Sequence, residues 1–108
     1  MSTFQAACFL CGLGKSDAAL FFDVNPNTVK RWFQAKAEPP QGVWLMLAER
    51  FAQIEDAADH CEHVFEVDGI HPNAWLNLEA TFDPNDPLPK EPAKISGAMA
   101  LLRFLSNE

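Results

Sequence analysis

A chain of 108 residues is long enough for one domain with a modest core, or for one domain with an appendage. Its hydrophobic content of 48% argues against wholesale disorder, and no apolar run approaches the ~20 residues that cross a bilayer, so we expect a cytoplasmic protein without membrane contact. The net charge of −7 argues against a generic nucleic-acid binder, so any DNA-binding surface must be local.

The first three predicted helices are short and follow one another closely. The first covers residues 2–11, with Ser2 or Thr3 as its N-cap, and Gly12 and Gly14 end it. Its core-facing residues repeat at intervals of three and four: Phe4, Ala7, Cys8 and Cys11. The second helix covers residues 15–22, and the third covers residues 26–35.

A turn at residues 23–25 separates the second helix from the third. Asn25 is a strong N-cap, because its side-chain oxygen can accept from the free amides of the next turn, and Pro26 suits the first helical position. Ala19 is small enough to let the two helices approach each other at a steep angle. Four apolar residues close the wedge between them: Phe22, Val24, Val29 and Trp32.

Residues 2–60 resemble the lambda-repressor-like (Cro-type) helix-turn-helix DNA-binding domains. Further positions that fit the family pattern are Gly12, Leu13, Ala18, Thr28, Lys30 and Arg31. Two positions depart from it: Asp23 stands where the family usually has glycine, and Gly14 where it has a Ser or Thr cap. Asp tolerates left-handed backbone better than most residues, so the turn is retained.

The resemblance implies that the third helix enters the major groove of DNA. Asn27 could then pair with adenine, while Lys30 or Arg31 could donate to guanine or to phosphate, and the flanking polar residues would contact the backbone. The expected DNA-binding residues are Asn25, Asn27, Thr28, Lys30, Arg31, Gln34, Lys36 and Lys15. Two copies would place their third helices about one turn, ~34 Å, apart, so we expect a homodimer and a palindromic operator.

A fourth helix is predicted from Gln41, after the break at Pro39 and Pro40, to about residue 59. One face of it carries Val43, Leu47, Phe51, Ile54 and Ala58. Trp44 flanks this face, where it could complete the core under the first helix or lie at a partner surface.

The pattern is weaker in the last third of the chain. Residues 63–68 could be a short strand or a continuation of the fourth helix, and residues 72–80 suit a short helix begun by Pro72. Residues 83–92 contain four prolines and predict an extended connector. A last helix over residues 93–105 has a broad apolar face that should pack on the body or on a second copy.

Charge is divided unevenly between the two ends of the chain. Residues 1–47 carry four basic and three acidic side chains, whereas residues 48–108 carry four and twelve. A local basic surface is enough to meet phosphates, and an acidic remainder weakens non-specific binding. This division favours a site-specific DNA-binding protein over one that coats DNA.

Metal binding and catalysis are the alternatives to weigh against DNA binding. Two pairs, Cys8 with Cys11 and His60 with His63, could form a zinc site on paper, but they are far apart in sequence and the cysteines lie in an apolar helical stripe. Reduced, buried cysteines, Cys61 included, are therefore expected, with no metal or other cofactor. Residues 12–16 are too short for a phosphate-binding loop, and no nucleophile has a base partner, so we expect no enzyme.

The sequence thus predicts an all-α, mostly helical protein: a helix-turn-helix DNA-binding domain over residues 1–60 and a small acidic extension over residues 61–108. The extension is expected to dimerise, and a short β element within it stays an open alternative. The expected function is that of a dimeric transcriptional repressor of bacterial or phage origin, acting on double-stranded DNA. The competing prediction is a helix-turn-helix protein-interaction module, antitoxin-like or an anti-repressor, with no direct DNA reading.

Overall fold

The computed structural model describes residues 1–107, and over these residues the chain is all-α, as predicted. The helices are α1 (Thr3–Leu10), α2 (Lys15–Phe22), α3 (Pro26–Phe33), α4 (Gln41–Asp68) and α5 (Lys90–Ser106), with a 3-10 helix at Pro72–Trp75. No residue in the described part of the chain belongs to a β-strand. None of the helices described combines the length and apolar character that crossing a membrane requires.

Local capping determines where α1 begins and ends. The Ser2 hydroxyl oxygen accepts from the backbone N–H of Gln5 at 3.1 Å, so Ser2 is the N-cap, as the sequence predicts. After the helix, Gly12 adopts a left-handed φ of 72°, and the N–H of Leu13 donates back to the carbonyl of Cys8 at 2.8 Å. A left-handed residue is needed for this closure, and glycine adopts that conformation without the steric cost that a Cβ atom causes, which is why a glycine ends the helix.

The chain forms two compact units, Met1–Phe51 and Ala52–Glu108, with the division inside α4. The boundary after residue 60, which follows from the resemblance over residues 2–60, stays a prediction.

An aromatic cluster around Phe4 forms the core of the first unit. The Phe4 ring centroid lies 5.5 Å from that of Trp32 and 5.2 Å from that of Trp44, and both pairs are edge-to-face. Phe22 and Phe33 complete the cluster, each with its centroid 5.9 Å from that of Phe4. Edge-to-face aromatic pairs add to the stabilisation from burial alone. Of the two roles predicted for Trp44, the structure supports completion of the core beside α1.

The second unit has its own smaller core between the end of α4 and α5. The buried members are Ala58, Cys61, Phe65, Ala80 and Ala100, with Ile70, Leu78, Met99, Leu101 and Phe104 packed against them. Across this core the rings of Phe65 and Phe104 are 5.8 Å apart. At the surface Arg103 donates to the carboxylate of Asp59 at 2.7 Å and lies 3.7 Å from that of Glu55.

Residues 63–68 continue α4, which extends to Asp68 and so runs past the predicted end at residue 59. The suggested short β element is therefore wrong for the described residues. Ala58, Cys61 and Phe65 are all buried at a spacing of three and four, so burial continues along one helical face. The first break comes at Gly69, whose φ is 78°.

Two other predictions in this unit need correction. Helical structure after Pro72 ends at Trp75 instead of residue 80, because the N–H of Ala80 donates to the carbonyl of Ala93 at 2.9 Å and this segment lies along α5. The last helix begins at Lys90 and not at residue 93, so it includes Pro92, where the sequence predicts an extended connector. Proline is tolerated there because the first turn of a helix has no intrahelical partners for its N–H groups.

Candidate nucleic-acid interface

Helices α2 and α3 are joined by a three-residue turn whose backbone is left-handed at its first residue. Asp23 has φ 55° and ψ 51°, and the N–H of Val24 donates to the carbonyl of Ala19 at 3.0 Å. Ala18, Ala19 and Phe22 are buried on α2. The small side chain of Ala19 leaves room at this turn, as the sequence predicts.

The start of α3 is held by Asn25 and Pro26. The Asn25 side-chain oxygen accepts from the backbone N–H of Asn27 at 2.8 Å, and Pro26 occupies the first helical position. Because the Asn25 oxygen is engaged in this cap, its contribution to the site is structural. Asn25 is thus a supporting residue of the site instead of a free reading group.

The polar and apolar residues of α3 lie on different faces. Val29 and Trp32 are buried, at 0% and 6% exposure, and hold the helix on the first unit. The Ser2 hydroxyl also donates to the carbonyl of Trp32 at 3.3 Å. Four exposed residues lie on the opposite face, because the last three follow the first by three, four and seven positions: Asn27, Lys30, Arg31 and Gln34. We call these four residues the reading stripe.

The remaining predicted residues lie outside the reading stripe. Thr28 is half-buried. Lys15 is the first residue of α2, and Lys36 follows α3 in a turn closed by its own N–H, which donates to the carbonyl of Arg31 at 2.9 Å. Both lysines are exposed. Both lie outside α3 itself, one at the start of α2 and one in the turn after α3.

The basic side chains of α2, of α3 and of the turn after α3 have no acidic partner among the described residues. Within residues 1–107, none of Lys15, Lys30, Arg31 and Lys36 forms an ion pair. By contrast, Arg103 in the second unit is paired with two carboxylates. Cations without an acidic partner retain their full charge for phosphate contacts.

A shallow groove of about 390 Å³ beside α3 was not anticipated from the sequence. Its lining includes Ser2, Thr3, Trp32, Lys36 and Glu38. The sequence predicts Ser2 as a helix cap, but it contains no signal that Ser2 lies beside the segment after α3. The groove puts the start of α1 next to one of the flanking lysines.

Arg50 is a basic residue of the first unit whose guanidinium packs against an aromatic ring. Its guanidinium carbon lies 4.9 Å from the centroid of the Phe21 ring, in cation–π geometry, and the residue is half-buried. It is therefore not a candidate for phosphate contact.

The cysteines are buried, as predicted. Burial raises the pKa of the Cys8 thiol to about 12, with a further contribution from the neighbouring Cys11. The pKa values of Cys11 and Cys61 are also raised by burial. The Cys11 thiol donates to the carbonyl of Leu47 at 3.6 Å. Across the described part of the chain, no three His, Cys, Asp or Glu side chains come together in a way that could hold a metal ion.

Comparison of the chain with protein-family models, with curated proteins and with solved structures finds no match.

Proposed function

We propose that this protein is a sequence-specific DNA-binding transcriptional regulator, and that α2, the turn and α3 are a helix-turn-helix of the Cro type. The observation that carries the proposal is the reading stripe. It places two cations and two side-chain amides on one exposed face of a short helix whose opposite face is buried. An α-helix of this kind fits the major groove of B-DNA.

Each residue of the stripe has chemistry suited to DNA. The Asn27 amide can offer a donor and an acceptor to adenine, and the Arg31 guanidinium can donate twice to guanine. Lys30 can donate to guanine or to phosphate. Gln34, at the end of α3, is closer to where the DNA backbone would pass, and Lys15 and Lys36 would contact phosphates on either side and set the register.

The charge pattern supports a site-specific regulator over a protein that coats DNA. The four basic side chains near α3 are few, and most of the acidic residues lie after residue 47. Few phosphate contacts mean weak non-specific affinity, so binding depends on base contacts and on two copies acting together. We therefore include a homodimer, a palindromic operator and repression in the proposal.

The direct test is selection of duplexes from a random DNA library by the full-length chain, followed by affinity measurement on the selected sequence. We expect one enriched palindromic motif. Each of Asn27→Ala and Arg31→Ala should cost about 1–3 kcal/mol on the cognate site and relax the preference at one base position per half-site.

Lys90→Ala is the matched control, because Lys90 is an exposed cation of the second unit. It should leave affinity and motif unchanged. The proposal fails if no motif is enriched, or if the stripe variants bind the selected duplex as tightly as the unaltered chain.

A protein-interaction module is the second candidate function, and exposed apolar residues of the second unit favour it. Trp75, Leu76 and Phe82 are exposed at 57%, 90% and 63%. Trp44, which could have joined such a surface, packs in the aromatic cluster instead. Under this alternative, Trp75→Ala would abolish partner binding, while Arg31→Ala would change nothing.

A further inference from the structure

Helix α5 has apolar residues on two opposite faces, and the second unit covers only one of them. The inner face is buried and carries Ala93, Gly97 and Ala100. On the other side lies a row that we call the outer stripe: Ile95, Ala98, Leu102 and Leu105. Within the outer stripe Leu102 is 66% exposed and Leu105 is 41% exposed.

The outer stripe borders a groove of about 510 Å³ between α5 and the last part of α4. Its lining includes Ile95, Ala98, Met99 and Leu102, with Glu62 on the α4 wall and Arg103 beside it. The walls thus hold one acidic and one basic side chain, while the outer stripe itself contains no charge. An occupant therefore needs an apolar ridge more than it needs a charge.

The spacing of the outer stripe indicates what kind of ridge fits. Its residues follow at intervals of three, four and three, which is the a and d pattern of a helix that packs lengthwise against another helix. A helix is therefore the expected occupant, packed at a shallow angle, with side chains interleaved as knobs into holes.

The outer stripe is also complementary to itself when it runs antiparallel. A two-fold axis near residue 100 brings Ala98 opposite Leu102 of the second copy, so a small residue faces a large one. The same axis brings Ile95 opposite Leu105 of the second copy. The two-fold axis then gives two layers of Ala with Leu and two layers of Ile with Leu, so no layer consists of two small residues, which close packing favours. A parallel pairing would instead stack Ala98 on itself and leave a thin layer.

We propose that α5 is the dimer interface, and that a second copy of this chain docks its outer stripe antiparallel against the first. The inference extends the proposed function, since it supplies the two-fold axis that a palindromic operator requires. It does not depend on DNA for its test.

The size of the surface predicts that this dimer is weak. A helix of 17 residues is about 25 Å long and about 10 Å wide, so the area it offers is about 250 Å², well short of the ~800 Å² per partner of a standard interface. The dimer should therefore dissociate in the micromolar range and be stabilised when two copies bind adjacent half-sites.

Sedimentation of the full chain without DNA tests the interface. The average mass should rise from that of one chain towards that of two as concentration increases through the micromolar range. Leu102→Glu puts a charge in each central layer and should raise the dissociation constant at least tenfold. Leu76→Glu is the matched control, since Leu76 is 90% exposed in the same unit and lies outside the outer stripe, and it should have no effect.

Disulfide trapping tests the antiparallel register independently of the charge variant. A tagged Ala98→Cys chain and an untagged Leu102→Cys chain are mixed and oxidised. The mixed disulfide should form in excess over either symmetric one, because the Cα atoms of facing residues come within the ~7 Å that a disulfide spans. The three native cysteines are buried, so the engineered thiols should react first.

The proposal is overturned if the chain stays monomeric up to millimolar concentration, if Leu76→Glu weakens association as much as Leu102→Glu, or if symmetric disulfides dominate. Failure of the regulator proposal looks different: association would be intact, and no duplex would be enriched.

Discussion

Two non-glycine residues adopt a left-handed backbone conformation, one just before α3 and one just after it. Asp23 has φ 55° in the turn before α3, and Ala35 has φ 59° just after α3. Asp is among the residues that tolerate this conformation, whereas alanine gains nothing from it. Ala35 therefore holds strain that its position at the end of α3 imposes, since the N–H groups of Ala35 and Lys36 close the helix there.

Replacing Ala35 by glycine should therefore stabilise the protein. Removing left-handed strain gains about 1 kcal/mol, and the greater freedom of glycine in the unfolded chain takes back part of it, so we expect a net gain of about 0.5 kcal/mol. Urea denaturation measures the difference. The control is Ala52→Gly on the exposed side of α4, which should cost about 1 kcal/mol; equal losses for both variants would contradict the assignment of strain.

The Cys8 thiol should make stability depend on alkaline pH. Its pKa is raised from 9.0 to about 12, so below pH 8 the folded and unfolded chains both keep the proton and the thiol adds no pH dependence. Above pH 9 the unfolded chain releases the proton first, so the free energy of unfolding falls as pH rises, by up to about 1.4 kcal/mol per pH unit.

Urea denaturation under reducing conditions between pH 8 and pH 11 measures this slope. Cys8→Ala should flatten it by the contribution of one proton, while Cys11 and Cys61 retain theirs. The chain contains no tyrosine, so phenol ionisation does not interfere. Parallel slopes for the variant and the unaltered chain would show that Cys8 ionises as easily when folded as when unfolded.

At the scale of elements, the segment after the 3-10 helix and the start of α5 depend on each other. An ideal Cβ on Gly97 would lie 2.7 Å from the Leu78 side chain and 2.8 Å from its backbone carbonyl. The Ala80 N–H also donates to the carbonyl of Ala93. Glycine is thus required in the middle of α5, despite its poor helix propensity, because another backbone passes directly over it.

Gly97→Ala should destabilise the second unit, since the clash involves backbone that cannot rotate away. We expect a cost of about 1–3 kcal/mol, larger than the helix propensity that alanine adds. Thermal or urea unfolding checks the result. Gly42→Ala is the matched control: nothing lies within 4 Å of its ideal Cβ in α4, so that substitution should be neutral or stabilising.

At the scale of the whole molecule, the number of free cations limits how the protein can bind DNA. Four basic side chains near α3 have no acidic partner within the described residues, and two copies would bring eight to one operator. Each phosphate contact contributes about 0.9 to the slope of log affinity against log salt concentration. If a dimer used most of these cations, its affinity for DNA would fall steeply as the salt concentration rises, despite the net charge of −7.

Lys15→Ala should reduce that slope by about 1.8 on a palindromic site, and by half as much if a single copy binds. The loss of affinity should be similar on cognate and random duplexes, because phosphate contacts carry no sequence information. Fluorescence anisotropy at several salt concentrations measures both quantities. A loss confined to the cognate duplex would mean instead that Lys15 reads bases.

How much the sequence could predict depended on how local each signal was. The caps at Ser2 and Asn25 and the bounds of α2 follow from neighbouring residues alone, and the structure has them where expected. The groove beside α3 had no such signal, because segments distant along the chain line it. Ala35 had none either, because no glycine or asparagine marks the left-handed residue that closes α3. The sequence predicts the four residues of the reading stripe one by one. That they are exposed together on one face follows from the burial of Val29 and Trp32 on the other face.

The amino-acid sequence by itself determined the all-α class and the start of each of the first four helices, since helix periodicity, caps, glycines and prolines act over a few residues. Only the tertiary structure decided that α4 continues to Asp68, that residues 76–80 leave the helical conformation, and that α5 begins at Lys90. For residues 63–68 the local pattern left a strand and a continued helix open, and for residues 76–80 and 90–92 it predicted a conformation that the structure does not have. Burial of Cys61 and Phe65, and the fit of Leu78 over Gly97, are contacts between distant segments, for which the local pattern contains no signal.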